Sequence, residues 1–314
     1  MPDRLDVLVI GECVADIVRL PGAAEQVHPG GSPANVAYGL ARLGRKTTLL
    51  TQLGPDGNGR LIREHLEGAG VDVRTDGATG PTPSAAVTLD DVGRAAYTFE
   101  IAWTLAAAAS GPYSGASYQH VHTGSIAAVV EPGATSVLDA VESARTAASI
   151  SYDPNVRPEL MGHHDTAVRR VERCVALSDV VKASDEDLAW LYPGEDPEKI
   201  AARWQAAGPA LVLVTRGAEG ALALLPGARA SVGALPTDVI DTVGAGDAFM
   251  SGTLHALASR GLLGARGRDR LRTVDVETVT EVLRHAAASA AVTVARAGAN
   301  PPDEAELRAA LGRF

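Results

Sequence analysis

Short apolar runs recur along the chain and alternate with longer segments in which apolar residues return every three or four positions. The first pattern is typical of buried strands and the second of amphipathic helices, so the alternation predicts an α/β protein with a mostly parallel central sheet. The predicted strands cover residues 6–10, 48–53, 120–123, 149–153, 180–182 and 211–215. The predicted helices cover residues 33–43, 57–69, 133–147, 165–177, 185–191, 197–207, 246–260 and 276–295.

Two segments depart from this rhythm. Residues 84–101 alternate apolar and polar positions around a polar centre at 90–94, which predicts a β-hairpin. Residues 13–27 are also strand-like and lack a helical period. Because neither segment contains a crossover helix, we expect a small β layer set apart from the main sheet.

Composition narrows the class of protein. The chain has 314 residues, of which 46% are hydrophobic and 21% charged, as in a globular enzyme of one or two domains. A formal charge of −10 disfavours nucleic acid as a partner. Cys13 and Cys174 form no metal-binding or disulfide pattern, so we interpret both as buried thiols. The apolar run 7–10 is much shorter than a signal or membrane segment, and we expect a cytoplasmic protein.

The strongest local motif is Asp-Thr-Val-Gly-Ala-Gly-Asp at residues 241–247. Gly244 and Gly246 permit a tight turn, and the apolar spacing that follows predicts a helix. Free amides at a helix start form an anion site, and Asp247 in the first turn can accept a proton from a hydroxyl. Taken alone, the motif also fits a capping Asp behind a flexible turn.

A second glycine motif occupies residues 30–44. Here Ser32 is predicted as the N-cap of a helix, Pro33 as its first residue and Gly44 as its left-handed stop. The amide of Asn35 can donate to and accept from hydroxyl groups. By itself the segment fits an ordinary capped helix as well as a binding helix.

Other common signatures are absent from the sequence. It contains no GxxxxGK[ST], and no GxGxxG follows the first strand, which disfavours a P-loop enzyme and a dinucleotide oxidoreductase. The histidine pairs 120/122 and 163/164 lack the helical HExxH spacing of a zinc hydrolase. We interpret these histidines as buried and hydrogen-bonded, or as solvated.

Together the two glycine motifs resemble the signatures of the ribokinase-like (PfkB-type) carbohydrate kinases, and the sequence is closest to the bacterial fructokinase branch. Residues 151–157 resemble its SFDPNxR strand end, residues 181–188 its KxSxEE segment and residues 214–221 its VTxGxxGA segment. The resemblance covers nearly the whole chain. It implies a three-layer α/β/α sandwich, one domain over residues 1–314, and a β lid formed by approximately 13–28 and 84–102.

The resemblance also implies roles for individual residues. Asp247 would be the general base, and the amides of Gly244, Ala245 and Gly246 would hold the charge of the transferred phosphoryl group. The implied sugar-binding residues are Asp16, Gly30, Gly31, Asn35 and Arg157, with Tyr97 or Phe99 facing the sugar from the lid. Arg157 could instead reach a phosphate. The implied nucleotide-binding residues are Lys182, Ser184, Thr215, Gly217 and Gly220.

Metal binding is the point at which the sequence departs from the family pattern. The common NxxE motif is replaced here by Ser184 and Asp187, and Asp187 is one methylene shorter than Glu. We expect Mg²⁺ to travel with the substrate phosphates and to contact Asp187 through water. For a monovalent cation such as K⁺, the implied ligands are Asp241 and the carbonyls of Val243, Thr293 and Gly298.

The resulting hypothesis is an ATP-dependent kinase that acts on a primary hydroxyl, with D-fructose to fructose 6-phosphate as the first choice. The same scaffold could serve 2-keto-3-deoxygluconate, ribose or a nucleoside. An acidic acceptor would need a cation such as Arg157 or Arg94 in the pocket. A catalytically silent sugar- or nucleotide-binding protein is the alternative from another class. The expected partners are the sugar and ATP, with a homodimer through the β lid.

Overall fold

The strands form two separate sheets. The computed structural model describes residues 5–20, 22, 24–75, 80–89, 95–105 and 118–314. The strands are β1 Asp6–Ile10, β2 Val14–Arg19, β3 Gln26–Gly30, β4 Lys46–Thr51, β5 Asp72–Thr75, β6 Ser84–Leu89, β7 Ala95–Glu100, β8 His120–Gly124, β9 Ser149–Asp153, β10 Val180–Ser184, β11 Leu211–Thr215, β12 Ala221–Leu225 and β13 Ala228–Val232. The helices are α1 Ser32–Arg42, α2 Gly57–Gly68, α3 Gly133–Ala144, α4 His164–Leu177, α5 Asp185–Leu191, α6 Pro197–Ala207, α7 Ala245–Ser259, α8 Ala265–Leu271, α9 Val276–Val294 and α10 Glu304–Leu311.

The larger sheet has the order β13-β12-β11-β10-β9-β8-β1-β4-β5. Its strands from β11 to β5 run parallel, and β12 and β13 are antiparallel at one edge, so the predicted mostly parallel sheet is confirmed. After β1 the chain moves outward to β4 and β5, and from β8 it moves the other way. The carboxyl ends of β1 and β8 therefore border a topological switch point, where α/β sheets bind ligands.

The smaller sheet has the order β3-β2-β6-β7 and confirms the predicted separate β layer. Strands β2 and β6 pair in parallel, and the other two pairs are antiparallel. The register places His28, Asp16, Ala85 and Phe99 in one row across the four strands, hence on one face. The predicted hairpin turn at 90–94, including Arg94, lies outside the described residues.

Helices α1 and α7, which carry the two glycine motifs, pack against each other. A Cβ on Gly39 of α1 would lie 2.5 Å from the Oγ of Ser251 in α7, so glycine permits this close approach. Helix α7 approaches α9 equally closely, because a Cβ on Gly252 would lie 3.1 Å from the Cα of Ala286. The packing brings the starts of α1 and α7 to the same edge of the large sheet.

The predicted strands and helices all occur, with ends that differ by a few residues. The elements that sequence patterns missed are β5, β12, β13, α8 and α10. In the described part of the chain, no helix combines the length and the apolar character needed to cross a bilayer.

Candidate active site

The loop before α7 has the tight turn expected from its glycines. Gly244 is the N-cap of α7 and adopts φ +75°, and a Cβ at this position would lie 2.6 Å from the Cβ of Ala299. The first amides of a helix have no acceptor within the helix. The amide of Ala245 donates to the carbonyl of Thr242 at 3.2 Å, which leaves the amides of Gly244 and Gly246 on either side of it as donors of the loop.

Asp247, in the first turn of α7, is buried and is held by two side chains from the start of α1. Ser32 donates through Oγ to Oδ1 of Asp247 at 2.7 Å, and Asn35 donates through Nδ2 to Oδ2 at 2.9 Å. Burial raises the pKa of Asp247, while these two donors and the charges of Lys182 and Arg157 act in the opposite direction. A carboxylate with a raised pKa and a fixed orientation is suited to accept a proton near neutral pH.

The predicted start of α1 was one residue too late, so Pro33 is the second helical residue and not the first. Gly31, not Ser32, is the N-cap, and no side chain caps this helix. Gly31 adopts φ +101°, and a Cβ there would lie 2.5 Å from the carbonyl oxygen of Glu12, so the chain needs glycine at the turn. Ser32 becomes the first helical residue, and its hydroxyl is free to bind Asp247. The left-handed stop at Gly44 is confirmed, with φ +75°.

Lys182 brings a positive charge beside the glycine loop. Its Nζ would lie 2.9 Å from a Cβ on Gly246 and is 2.9 Å from Oδ2 of Asp153. Both side chains of this ion pair are almost fully buried. Burial lowers the pKa of Lys182, but Asp153 and Asp187 outweigh burial and the net shift is upward. Lys182 therefore stays charged next to the amides that would receive a phosphoryl group.

The residues expected to bind sugar surround the same edge from the side of the smaller sheet. A Cβ on Gly30 would lie 2.1 Å from Oδ2 of Asp16, so glycine makes room for this carboxylate. Burial raises the pKa of Asp16 to about 6, against the opposing charges of His28 and Arg157. Arg157 donates to the carbonyl of Val156 at 2.8 Å, and its charge acts on both Asp16 and Asp247.

The two aromatic residues predicted to face the sugar, Tyr97 and Phe99, both lie on β7. Phe99 shares a face of the smaller sheet with Asp16 and is 40% exposed. Tyr97 pairs with Val87 through its backbone, and its side chain lies outside the described residues. A sugar-facing role for either aromatic residue stays a prediction.

The residues expected to bind the nucleotide lie at the carboxyl ends of β10 and β11. Ser184 pairs directly with Thr215 in the ladder. Beyond Thr215 the chain turns through Gly217 and Gly220, with φ +50° and +90°. A Cβ on Gly220 would lie 2.1 Å from the carbonyl oxygen of Val232. These residues lie at the same edge of the large sheet as Lys182, two residues before Ser184 on β10.

Both carboxylate oxygens of Asp187 accept hydrogen bonds from backbone amides. It forms a capping box with Ser184 at the start of α5, and its Oδ2 accepts from the Ser184 amide at 2.8 Å. Its Oδ1 accepts from the Val156 amide at 2.7 Å. Within the described ranges, no three His, Cys, Asp or Glu side chains lie close enough together to hold a metal. Asp187 keeps one lone pair on each oxygen, which fits an outer contact through water.

The predicted cation ligands lie between the loop before α7 and the chain after α9. Asp241 accepts from the amide of Val243 at 3.0 Å and from that of Gly298 at 2.8 Å, which ties the two segments together. The carbonyl of Thr293 accepts from the Arg296 amide, and that of Gly298 from the Asn300 amide. A carbonyl can accept a second contact, so a cation role for these groups stays a prediction.

Sequence reasoning missed three polar residues of this edge: Ser32 as a partner of Asp247, Asp153, and Glu12. Glu12 lies two residues after the end of β1, is 2% exposed, and accepts from the Ala127 amide at 3.2 Å. Burial raises its pKa to about 8. The available signal was a carboxylate two residues after a buried strand, close to the carboxyl end where parallel sheets bind ligands.

The arrangement combines a buried base, a helix start that binds anions and an adjacent lysine. Such a site can activate a hydroxyl and stabilise negative charge on a group transferred to it. The two functions meet at Asp247 and Gly246, which are consecutive in α7.

Comparison with known proteins agrees with this chemistry. Residues 4–306 match the pattern of the family described as pfkB family carbohydrate kinase. The chain is 35% identical over 262 residues to a fructokinase of Salmonella typhimurium, covering 82% of this chain and 85% of that protein.

Two solved structures share the fold. A fructokinase from Xylella fastidiosa with bound ATP superposes with a TM-score of 0.86 at 27% identity, covering 98% of both chains. A Vibrio cholerae fructokinase in a form with fructose, ADP and potassium ion bound has a TM-score of 0.82 at 27% identity, covering 99% of both chains. The fold is thus ribokinase-like, as expected, and with its two glycine motifs joined at one buried aspartate this chain belongs to the pfkB family of carbohydrate kinases.

Proposed function

We propose that this sugar kinase transfers the γ-phosphoryl group of ATP to the primary hydroxyl of D-fructose and forms fructose 6-phosphate. One observation carries the proposal: buried Asp247, oriented by Ser32 and Asn35, stands beside a helix start and Lys182. The similarity of the chain to fructokinases supports fructose as the phosphoryl acceptor.

In this mechanism Asp247 takes the proton of the sugar hydroxyl as that oxygen attacks the γ-phosphorus. The raised pKa makes Asp247 a stronger base, and its two hydrogen bonds keep it in one orientation. The amides of Gly244 and Gly246, with Lys182, would stabilise the charge on the transferred group, and the Ala245 amide would join them on leaving the Thr242 carbonyl. Fixed donors of this kind supply much of the catalysis of phosphoryl transfer.

The sugar would lie between the smaller sheet and the start of α1. Asp16, Gly30, Gly31 and Asn35 line this side, and a carboxylate can accept from two neighbouring hydroxyls. Segments 13–28 and 84–102 would close over it as a lid of the single domain 1–314, and closure would exclude water, a competing nucleophile.

The nucleotide and its ions would occupy the other side. Lys182, Ser184, Thr215, Gly217 and Gly220 line it, and Mg²⁺ would neutralise charge on the ATP phosphates that provide most of its ligands. Asp187 would contact that ion only through water. K⁺ would be held by Asp241 and the carbonyls of Val243, Thr293 and Gly298, a role supported by the potassium-bound Vibrio cholerae fructokinase.

An acidic acceptor such as 2-keto-3-deoxygluconate is the second candidate. It is favoured by one observation: the charge of Arg157 acts on both Asp16 and Asp247, so the guanidinium stands at the acceptor side of the site. A silent binding protein is disfavoured because a binder needs no buried base between two glycine turns.

ADP release should be measured with fructose, 2-keto-3-deoxygluconate, ribose, fructose phosphates and nucleosides at fixed ATP and Mg²⁺. The largest kcat/KM is expected with fructose. A larger value with the keto acid, lost in Arg157→Met, would transfer the proposal to the acidic acceptor. No turnover with any of these compounds would overturn the proposed fructokinase activity.

The assembly and location of the protein belong to the same proposal. We expect a homodimer through the edge strands β3 and β7 of the lid, because unpaired strand edges favour pairing with another chain. ATP and a free sugar as substrates imply a cytoplasmic enzyme. Sedimentation at micromolar concentration tests the dimer, and a monomer would contradict it.

A further inference from the structure

A row of buried polar side chains runs along one face of β8 and β9 toward the catalytic edge. The ladder pairs His120 with Ser149 and His122 with Ser151, and all four side chains are fully buried. His120 bridges two serines, through Nδ1 to Ser149 at 2.7 Å and through Nε2 to Ser151 at 2.8 Å. His122 contacts Ser151 through Nδ1 at 2.9 Å. These histidines thus fulfil the expectation of buried, hydrogen-bonded side chains.

Every contact of this row is satisfied when its hydrogens run in one direction, from Ser149 to His122. The amide of Gly264 donates to Oγ of Ser149 at 2.7 Å, so the Ser149 hydroxyl hydrogen is available for Nδ1 of His120. His120 then donates from Nε2 to Ser151, and Ser151 donates to Nδ1 of His122. Burial lowers the pKa of both histidines to about 3, which agrees with neutral rings that carry one hydrogen each. In this direction of the row, His122 carries its hydrogen on Nε2.

The Nε2 of His122 is buried and has no hydrogen-bond partner among the described residues. The strand repeat indicates where it points. His120 reaches its ladder partner through Nδ1 and the residue two positions further along β9 through Nε2. The same step from His122 leads from Ser151 to Asp153, whose carboxylate holds Lys182 beside Gly246.

Asp153 has capacity for one more donor. Its Oδ2 accepts from Lys182 and its Oδ1 from the Asn155 amide at 3.2 Å, and a carboxylate has about four acceptor positions. An unpaired buried N–H is costly, so an acceptor at this point stabilises the row. A donor is also needed when Lys182 turns toward a phosphate and its contact with Asp153 weakens.

We propose that His122 is a positioning residue whose Nε2–H donates to Asp153 through one water and thereby holds Lys182 in place for the phosphoryl group. This inference rests on the proposed kinase function of the same edge. His122 touches neither substrate in this scheme and acts through Asp153 and Lys182.

Two substitutions separate this role from a purely structural one. The amide of Asn ends near the position of Nδ1, so His122→Asn keeps the bond to Ser151 and loses the donor to Asp153. The amide of Gln extends to the position of Nε2, so His122→Gln loses the Ser151 bond and keeps a donor to Asp153. The proposal predicts more turnover for Gln than for Asn, and a role in stability alone predicts the opposite order.

For His122→Asn we expect kcat to fall about tenfold and the KM for ATP to rise, with the KM for fructose within about twofold of the parent value, since one hydrogen bond to a charged group is lost. His122→Gln should stay within about threefold of the parent kcat. Ser178→Ala is the control, because it removes a buried hydroxyl bond to the Cys174 carbonyl away from this row. It should lower the melting temperature and leave kcat unchanged.

The affinity for ATP, measured by calorimetry without any sugar, should rank the two His122 variants in the same order. The inference can therefore be tested even if no sugar in the panel is phosphorylated. Weaker ATP binding for His122→Asn than for His122→Gln supports the proposal in either case. Equal kcat and ATP affinity in both variants, or the reverse order, would overturn it.

Discussion

The Nδ2 of Asn35 lies 2.9 Å from the Oδ2 of Asp247, across 212 residues of sequence. Asn35 was expected to bind the sugar, and its amide nitrogen is bound to the base. In the proposed mechanism, the start of α1 therefore contacts both the sugar and the base. Sugar binding at α1 and proton transfer at α7 would be coupled through this contact.

Replacing Asp247 by Asn tests the base. Turnover should fall by about 10²- to 10⁴-fold, because the amide cannot take the hydroxyl proton, and the KM for each substrate should change little. Steady-state ADP release measures the effect. Asp269→Asn, on the exposed surface of α8, is the matched control and should behave like the parent protein. Turnover near the parent value in Asp247→Asn would remove Asp247 as the base.

Ser32→Ala removes one of the two donors to Asp247. The hydroxyl stabilises the ionised carboxylate, so its loss raises the pKa of Asp247 further and reduces the ionised fraction at a given pH. We expect kcat/KM to fall about tenfold at neutral pH and its acid limb to move to higher pH. A pH–rate profile measures both. A loss of equal size at every pH would contradict this role for Ser32.

Gly244→Ala and Gly227→Ala form a matched pair. Both glycines adopt φ +75°, so alanine should cost each site about 1–2 kcal/mol of stability. A Cβ at Gly227 meets nothing within 4 Å, whereas at Gly244 it would meet Ala299 at 2.6 Å. Only Gly244→Ala should displace the amides of the loop, and its kcat should fall about 10²-fold. Denaturant titration measures the stability of both variants, and steady-state ADP release measures their kcat. Equal kcat values for the two variants would argue against the anion site.

Glu12→Gln should change how stability depends on pH. Folded Glu12 keeps its proton up to a pKa of about 8, and the unfolded chain releases it near 4.5, so ionisation favours unfolding as pH rises through this window. The variant has no such group. As pH rises through this window, the free energy of unfolding of the variant should increase relative to that of the parent by up to about 1.4 kcal/mol per pH unit.

Denaturant titrations at pH 5, 6.5 and 8 measure this difference. Glu64→Gln, on the exposed face of α2, serves as the control and should show no trend. Parallel stability curves for Glu12→Gln and the parent would mean that Glu12 is ionised in the folded protein.

Local sequence patterns were sufficient for most of the fold. Buried parallel strands such as β1 and β9 are continuous apolar or small-residue runs, and long amphipathic helices repeat their apolar positions clearly. The missed strands β12 and β13 are rich in Ala and Leu and low in β-branched residues, so they carry no clear strand signal. Helix α10 did have a signal, the capping box of Asp303 and Glu306.

The candidate site was predictable only where one motif carried it. Asp247 was predictable because the glycines before it indicate the start of a helix. Its role as the base was implied by the family resemblance. The bond from Ser32 joins residues 215 positions apart, and it forms because α1 and α7 pack together. Local spacing cannot predict such a contact, and it cannot predict the burial that raises the pKa of Glu12.

The distance in sequence between Asp247 and its partners has a consequence for synthesis. All four strands of the smaller sheet lie before residue 101, and Asp247 lies in the last quarter of the 314-residue chain. In the proposed mechanism, a ribosome-bound chain that has completed the smaller sheet still lacks Lys182, the anion loop and the base Asp247. Such an unfinished chain is therefore expected not to consume ATP until α7 has been synthesised and has folded.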